Sequence, residues 1–529
     1  MKKMLFLRPP TWNMGERAKK NNIIYGTVPY GILSIMSYIN YHKKSDIELE
    51  ILDLNTGNWS HLHEAFFNEE LSLYIKTNNF DIVGLSVMYN HMYKYLDKLS
   101  TIVKNSSPST LVIAGGACVT AYYEKILQES LNIDAICYSE GELPVLHLLE
   151  SDNLSYTLNN HPSFITRDTR NLPSPTFIEN LDEIPIIDYS LIDLSKYSHH
   201  FGIMKPEKIK NENWLPILTT RGCPYNCYFC TSATLSGKKV RVSSASKVIR
   251  DITMLKEKYK INTISFDDDQ FLYNKQRAKE ILKGIANLNL NVFITAGLTV
   301  SLIDDEIPKL LKNAGVKILT FPIESGSEYV LHKIIHKPIK LDNVSKIIDS
   351  VKKEGILCHA NIIIGFPREL QEHRQESVDF IKNSGVDWCF TFCATALKGS
   401  DLYNDCKENG YISDNDFSFD GYTSSSINTP DFTSEEITKK AYLMNLELNF
   451  VNNNNMARGD YKTATLYFQH ICEKYPDHAF SWYYLSKCCE HNESIAALVE
   501  SNKYMSNFEE IIHRSQEWED YAKYFGLIK

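Results

Sequence analysis

The sequence predicts an α/β protein of several domains, for three reasons. At 529 residues the chain exceeds one ordinary core and suggests about three domains. Short apolar runs alternate with helix-like stretches over most of its length, the rhythm of parallel strands joined by crossover helices. From about Ser434 that rhythm gives way to helical periodicity alone.

Taken in order, residues 1–150 carry apolar runs at Met4–Leu7, Leu49–Leu54, Ile82–Met88, Leu111–Ala114 and Ala135–Tyr138, which predict a doubly wound, Rossmann-like, mostly parallel sheet. Gly115-Gly116 ends one run and Ser139-Glu140-Gly141-Glu142 another, where ligand-binding loops lie in such sheets. Residues 151–214, with prolines 162, 173, 175, 185 and 206, have little period and read as a linker. A second series over 215–410 has strand candidates Pro216–Thr220, Ile264–Asp267, Val292–Ala296, Ile318–Glu324, Leu357–Gly365 and Trp388–Ala396. Six such units fit a partial, TIM-like (β/α)6 barrel with its site at the carboxyl ends of the strands. Residues 411–529 read as helical, and Gly459-Asp460-Tyr461-x-x-Ala464, Phe468, Pro476 and Trp482-x-x-Leu485 resemble a TPR-like repeat and part of a second, near 456–505. So few repeats fall short of independent stability, so a helical cap on the barrel is an equal expectation.

With 43% hydrophobic and 23% charged residues and a mean hydropathy of -0.28, the composition is globular. A formal charge of -9 and a pI near 6.0 disfavour nucleic acid as a partner. The first apolar stretch stops at Arg8 and two prolines, too short for a signal peptide, and no later one reaches the roughly 20 residues of a membrane helix. The expectation is a cytoplasmic protein with no membrane partner, whose twelve cysteines are thiols or metal ligands.

Thr219-Thr220-Arg221-Gly222-Cys223-Pro224-Tyr225-Asn226-Cys227-Tyr228-Phe229-Cys230 packs three thiols into one tight loop after the first strand of the second series. Thiolates are the usual ligands of iron-sulfur clusters, and three of them on a four-iron cubane leave one iron open. The amine and carboxylate of an amino acid can chelate that iron and bring a sulfonium next to an electron donor. Zinc is the competing metal, but it takes four protein ligands in structural sites or three plus water in catalytic ones, and no second cysteine or histidine pair follows at finger-like spacing.

This Cys-x-x-x-Cys-x-x-Cys, with aromatic Phe229 before the last cysteine, resembles the hallmark of the radical S-adenosylmethionine superfamily. The resemblance implies a 4Fe-4S cluster on Cys223, Cys227 and Cys230, and reductive cleavage of S-adenosylmethionine to a 5′-deoxyadenosyl radical that abstracts hydrogen from substrate. Phe321-Pro322-Ile323-Glu324-Ser325-Gly326-Ser327 is similar to the family's Glu-Ser-Gly segment, and Gly365-Phe366-Pro367 to its Gly-Phe-Pro. Asp267-Asp268-Asp269-Gln270-Phe271 resembles the Asp-Asp-x-Phe of one large branch. Together they imply S-adenosylmethionine contacts from Phe229, Asp268, Glu324, Ser325, Gly365 and Pro367; on residue type alone each also suits an ordinary strand end or helix N-cap. Two positions depart from the pattern. Thr299 follows Ala296-Gly297-Leu298 where the branch often has arginine, and Arg368-Glu369-Leu370 replaces Gly-Glu-Thr. Cys389 and Cys393 share a face of the sixth strand but read as core thiols, and His359, Tyr329 and His332 are candidate lining.

Leu7-Arg8-Pro9-Pro10, Val28-Pro29-Tyr30-Gly31-Ile32-Leu33, Ser86, Gly115-Gly116, Glu140-Gly141-Glu142, Leu181-Asp182-Glu183-Ile184-Pro185 and Lys398-Gly399-Ser400-Asp401-Leu402-Tyr403 resemble the layout of the superfamily branch with an N-terminal cobalamin-binding domain, over residues 1 to about 410. That likeness implies cobalamin against Ser86, Gly115, Gly116, Glu140 and Gly141, where glycines let the backbone approach and helix starts meet a phosphate tail. Asp-x-His-x-x-Gly is absent from this part of the chain, as is common in the branch. The implied function is cobalamin-dependent methylation of an unactivated carbon, more rarely phosphorus. Two alternatives stay open: a radical cyclase, oxidase or rearrangement enzyme without methyl transfer, and a protein-binding adaptor with a structural cluster. A tRNA methylthiolating enzyme is disfavoured, since there is neither a basic terminal module nor a second cysteine triplet. Expected partners are a small-molecule or peptide substrate, an electron donor such as flavodoxin or ferredoxin, and a protein on the C-terminal helices. No acid, base or nucleophile stands out as catalytic.

Overall fold

In the computed structural model, which describes residues 1–11, 27–56, 59, 64–169, 173–197, 212–294, 298–413, 422–491 and 494–529, the N-terminal runs become five parallel strands. These are β1 (Lys2–Arg8), β2 (Ile47–Asp53), β3 (Ile82–Ser86), β4 (Leu111–Gly115) and β5 (Ala135–Cys137), in the order β2-β1-β3-β4-β5. Met4 to Leu7 of β1 are buried without alternation, as a strand covered on both faces requires. Helices Glu64–Asn78, Leu96–Ser106 and Ala117–Glu129 cover one face through Leu71, Ile75, Leu99 and Ile126. Helices Tyr30–His42 and Glu142–Glu150 cover the other through Met36, Ile39 and Leu148. The chain steps from β1 out to β2 and returns across it to β3, so a crevice opens at the carboxyl ends of β1 and β3.

The stretch expected to be only a linker also joins this sheet. Its β6 (Phe164–Ile165) pairs antiparallel with Ile136 and Cys137, and two residues are too few to show a period. Residues 198–211 of that stretch, Pro206 included, lie outside the described residues, as do Ala296 and Gly297.

The second series forms two three-stranded parallel sheets. One has the order β11-β10-β7, from β7 (Trp214–Ile217), β10 (Thr263–Phe266) and β11 (Asn291–Ile294). The other has the order β12-β13-β14, from β12 (Ile318–Glu324), β13 (Leu357–Ile364) and β14 (Trp388–Cys393). A single parallel bridge, Val292 to Val316, links the halves, and no closed barrel forms among the described residues. The strand expected at Pro216–Thr220 breaks after Ile217. Thr220–Arg221 instead makes β8 and pairs antiparallel with β9 (Arg241–Val242). The cause is Asp268, whose carboxylate accepts hydrogen bonds from the backbone N–H groups of Thr219 and Thr220 and turns the chain out of the sheet.

Helix Ser434–Leu446 runs along β14 into a π-helical turn, Glu447–Val451. Buried Asn449 on that turn accepts from Cys389 N–H (2.8 Å) and donates to Cys389 C=O (2.7 Å), taking the place of a neighbouring strand at the sheet edge. Further on, Asp460 caps helix Tyr461–Lys474, whose Tyr467 hydroxyl meets His359 Nε2 of β13 at 2.6 Å and whose ring stacks on Trp388. The tail is helical and continuous with the sheet's packing. Among the described residues no helix is long and apolar enough to cross a membrane, and all twelve cysteines are free. Asn449→Ala would leave two buried backbone groups of Cys389 without partners. At about 1–3 kcal/mol for each such group, the variant is expected to show a clearly lower calorimetric melting temperature; an unchanged one would mean that water replaces the amide.

Candidate active site

Backbone contacts hold the cysteine loop on every side. Gly222 N–H donates to Asp269 Oδ2 (2.8 Å), Cys223 N–H to Gly237 O, Tyr228 N–H to Ile335 O, and Leu402 N–H to Tyr228 O. Gly222 has φ +91°, and a Cβ there would lie 2.3 Å from Lys239 O, so only glycine fits. Cys223, Cys227 and Cys230 are each half-buried. Gln270 Nε2 lies 3.2 Å from Cys223 Sγ, and Ser232 N–H 3.5 Å from Cys230 Sγ. Among the described residues no three His, Cys, Asp or Glu side chains converge as ligands of one metal ion. A cubane spreads its thiolates over separate irons, so three thiols on one loop suit it without meeting at a single point. The donor set fits a cluster.

Two strand ends face this loop. Glu324, at the end of β12, has φ +70° just past a register shift, is buried, and pairs with Lys337 Nζ at 2.8 Å. A non-glycine residue held there is strain of the kind found at functional sites, at a cost of order 1–3 kcal/mol. Ser325 and Ser377 share a hydroxyl contact, and Gly326 lets the helix Gln371–Ser384 approach, since a Cβ would sit 2.6 Å from Ser377 Cα. After β13, Gly365 has φ +88° and Pro367 is buried. Phe229 of the cysteine loop packs against Phe366 with ring centres 5.9 Å apart. Of the six residues expected around S-adenosylmethionine, Phe229 lies in the cysteine loop itself and packs on the segment that holds Gly365 and Pro367, while Glu324 and Ser325 lie at the end of β12. The sixth, Asp268, is fully buried, and its carboxylate accepts hydrogen bonds from Thr219 and Thr220 at the entry to the loop.

The five residues expected around cobalamin share one cavity of about 390 Å³. Ser86, Gly115, Gly116, Glu140 and Gly141 line it from the N-terminal sheet; Leu218, Arg221, Leu235 and Ser236 line it from the other domain. Gly116 has φ +106°, and its Cβ would lie 2.5 Å from Val87 O. Helices Ala117–Glu129 and Glu142–Glu150 begin at the cavity and offer their N-termini to an anion. Small residues at the strand ends, an apolar floor of Met4, Phe6 and Ile113, and no histidine in the lining suit a corrin held without a protein ligand to its metal.

Glu140 does more than line the cavity. Its carboxylate pairs with Arg221 (3.1 Å) and Arg241 (2.5 Å), while Glu142 pairs with Arg221 (2.6 Å) and accepts from Ser34 (2.6 Å). Burial alone would raise the Glu142 carboxyl, but the Arg221 guanidinium overcomes it and holds that group below its ordinary value.

Residues 217–381 match the Radical SAM superfamily, and residues 27–149 match the B12 binding domain. The chain thus joins a radical S-adenosylmethionine domain to an N-terminal B12 binding domain. It is 29% identical to an uncharacterized methyltransferase of Pyrococcus horikoshii over 83% of this chain and 92% of that one. It is 24% identical to a cytidylyl-2-hydroxyethylphosphonate methyltransferase of Streptomyces wedmorensis, over 80% and 86%. In fold it is similar to the radical S-adenosylmethionine methyltransferase TsrM of Kitasatospora setae, solved with cobalamin and a 4Fe-4S cluster, with a TM-score of 0.60 at 14% identity over 97% of this chain and 100% of that one.

Within this radical S-adenosylmethionine protein, burial pushes the Cys227 thiol up to about 11, opposed by the ammonium of Lys337, and raises Cys223 as well. Positive charge close to these two sulfurs favours their thiolate forms. Cys389 and Cys393 are buried in the core. His359 lies under Tyr467, Tyr329 stacks on His373, and His332 pairs with exposed Glu328. Asp269, Gln270, Lys337 and the Arg221 network were not singled out from sequence as site residues, although Arg221 adjoins the motif.

Arg221→Met strands buried carboxylates; breaking such a pair costs about 3–5 kcal/mol, so this variant is expected to melt far below the parent and to gain protease cleavage between the domains. Lys239→Ala, which removes an exposed pair with Glu179, is expected to change stability by about 0–1 kcal/mol. Glu369, fully buried against the Gly365 N–H, has its carboxyl pushed up to about 7 by burial. Between the ordinary value of 4.5 and that point the folded chain keeps a proton that the unfolded chain has lost, so stability falls as pH rises through this window. Glu369→Gln is expected to lose this contribution and to be the more stable protein at neutral pH and above, as melting temperatures across the pH range would show.

Proposed function

We propose that this chain is a cobalamin-dependent radical methyltransferase acting on an unactivated carbon or on phosphorus. One observation carries the reading: a single cavity is walled by Ser86, Gly115, Gly116 and Gly141 of one domain and by Arg221 and Ser236 of the other, two residues from Cys223. The names of the two relatives above, both methyltransferases, support the same reaction class. When bound, the cluster supplies one electron for cleaving S-adenosylmethionine, and cobalamin supplies the methyl group.

The chain's own residues have the following roles in this reading. Cys223, Cys227 and Cys230 hold the cluster, and Phe229 with Phe366 excludes water beside it. Glu324, steadied by Lys337, offers a carboxylate to the ammonium of S-adenosylmethionine, with Ser325, Gly365 and Pro367 lining the same ligand. Gly116 and Gly141, each at a helix start, receive the phosphate tail of cobalamin. The six strands act as a partial (β/α)6 barrel over residues 215–410. On their inner face Thr320, Pro322, Asn361, Ile363 and Phe392 are only half-buried, while the residues alternating with them pack against helices. That half-open face, above the Tyr467 plug, receives a small-molecule substrate. A flavodoxin or ferredoxin of a reducing cytoplasm supplies electrons, and the paired, TPR-like helices serve as the barrel's cap.

Anaerobic reconstitution with iron, sulfide and hydroxocobalamin, followed by desalting, tests this. Close to one cobalt per chain is expected, together with iron that a Cys223→Ala, Cys227→Ala, Cys230→Ala variant loses and cobalt that a Gly116→Val variant loses while keeping iron. Iron without cobalt in the parent protein would leave a radical enzyme and end the methyltransferase reading.

A further inference from the structure

The run Asp267-Asp268-Asp269 places three carboxylic acids in a row at the end of β10, and it stops being acidic at the residue that faces a cysteine sulfur. Asp268 and Asp269 direct their carboxylates at backbone N–H groups of Thr219, Thr220 and Gly222, the stretch leading into the cysteine loop. Gln270 follows. It is buried, and its backbone N–H donates to Thr220 Oγ1 at 3.0 Å, which fixes the residue relative to the loop. Its side-chain nitrogen lies 3.2 Å from Cys223 Sγ, and its side-chain oxygen accepts the Thr299 hydroxyl at 2.8 Å. The opposite orientation of the amide would aim a carbonyl oxygen at a thiolate, so the thiolate and the Thr299 hydroxyl select the same rotamer from the two ends.

We infer that Gln270, oriented by Thr299, is a positioning residue that sets the reduction potential of the cluster through an N–H···S hydrogen bond to Cys223. The inference rests on the reading of Cys223, Cys227 and Cys230 as cluster ligands and adds to it a regulator of that site. Reduction of a 4Fe-4S cluster adds one electron from an external donor and no proton, so its free energy depends on how well the surroundings tolerate one more negative charge. Hydrogen bonds to the sulfurs spread that charge and raise the potential. Carboxylates nearby act against it. A neutral donor at residue 270 therefore offsets the field of its acidic neighbours at the one ligand within its reach. Thr299, which departs from the arginine common at this position of the branch, supplies the anchor without bringing a charge of its own.

The test is a potentiometric titration of the reconstituted full chain with dithionite, the reduced cluster being followed by electron paramagnetic resonance and iron being counted in each sample. Gln270→Met is expected to keep its iron and shift the midpoint to lower potential. Gln270→Glu, which replaces the donor by a carboxylate, is expected to shift it further in the same direction. Thr299→Val should give a smaller shift of that sign, and Thr299→Ser should restore the parent value. If Gln270→Met fails to hold iron, Thr299→Val and Thr299→Ser decide by the same measurement. Unchanged midpoints in iron-replete Gln270→Met and Thr299→Val would overturn the inference while leaving the cluster in place. Iron retained by the triple cysteine variant would instead overturn the ligand assignment on which it rests.

Discussion

Arg221 is the point on which both halves of the molecule depend. Its guanidinium is buried between Glu140 and Glu142, which follow the last parallel strand of the N-terminal sheet, while its backbone lies in the β8–β9 ribbon that leads into the cysteines. Taking a guanidinium out of water is expensive unless its charge is matched and its hydrogen bonds are made. Here two carboxylates and the Ser34 hydroxyl meet that demand, and Arg241 shares the excess negative charge of Glu140. The pairing also fixes distance. With Arg221 held in the wall of the cavity and Cys223 two residues on, the space for one cofactor and the loop for another are set by the same side chain.

A second layer of constraint comes from acids that point at backbone rather than at ligands. Asp268 pulls Thr219 and Thr220 out of the strand, Asp269 holds Gly222, and Gly222 accepts a turn that no side chain would allow. Burial pushes the Asp268 carboxyl up to about 6, which the backbone and hydroxyl donors of Thr219 counter only in part. A group in that position is kept for the geometry it enforces. The cysteine loop is thus shaped by hydrogen bonds from its neighbours, as a site that must hold its cofactor firmly in place requires.

The sequence made the cysteine motif and the doubly wound sheet plain because both rest on local pattern: three thiols at fixed spacing, and apolar runs closed by Gly115-Gly116 and Ser139-Glu140-Gly141. The turns at Glu324 and Gly365 were also legible, as strand ends followed by small residues. What stayed hidden was long-range. Residue type does not say which way the Asp268 carboxylate turns, and its hydrogen bonds to the Thr219 and Thr220 backbone were not legible. The partnership of Glu140 with Arg221 and Arg241 joins residues about a hundred positions apart, which no periodicity reveals. β6 is too short to register as a pattern, and the split of the second sheet shows only where Val292 and Val316 meet by a lone bridge.

Asn449 gives the C-terminal helices a meaning beyond packing. An open sheet ends in a strand whose free N–H and C=O groups invite any passing extended segment to add on, and proteins that leave such strands bare are prone to stack edge to edge. Near the start of β14 a side-chain amide already occupies the N–H and the C=O of one residue, and the helix beside it fills the space an incoming strand would need. The molecule can therefore keep its parallel sheet open for chemistry and still remain closed to polymerisation along this edge.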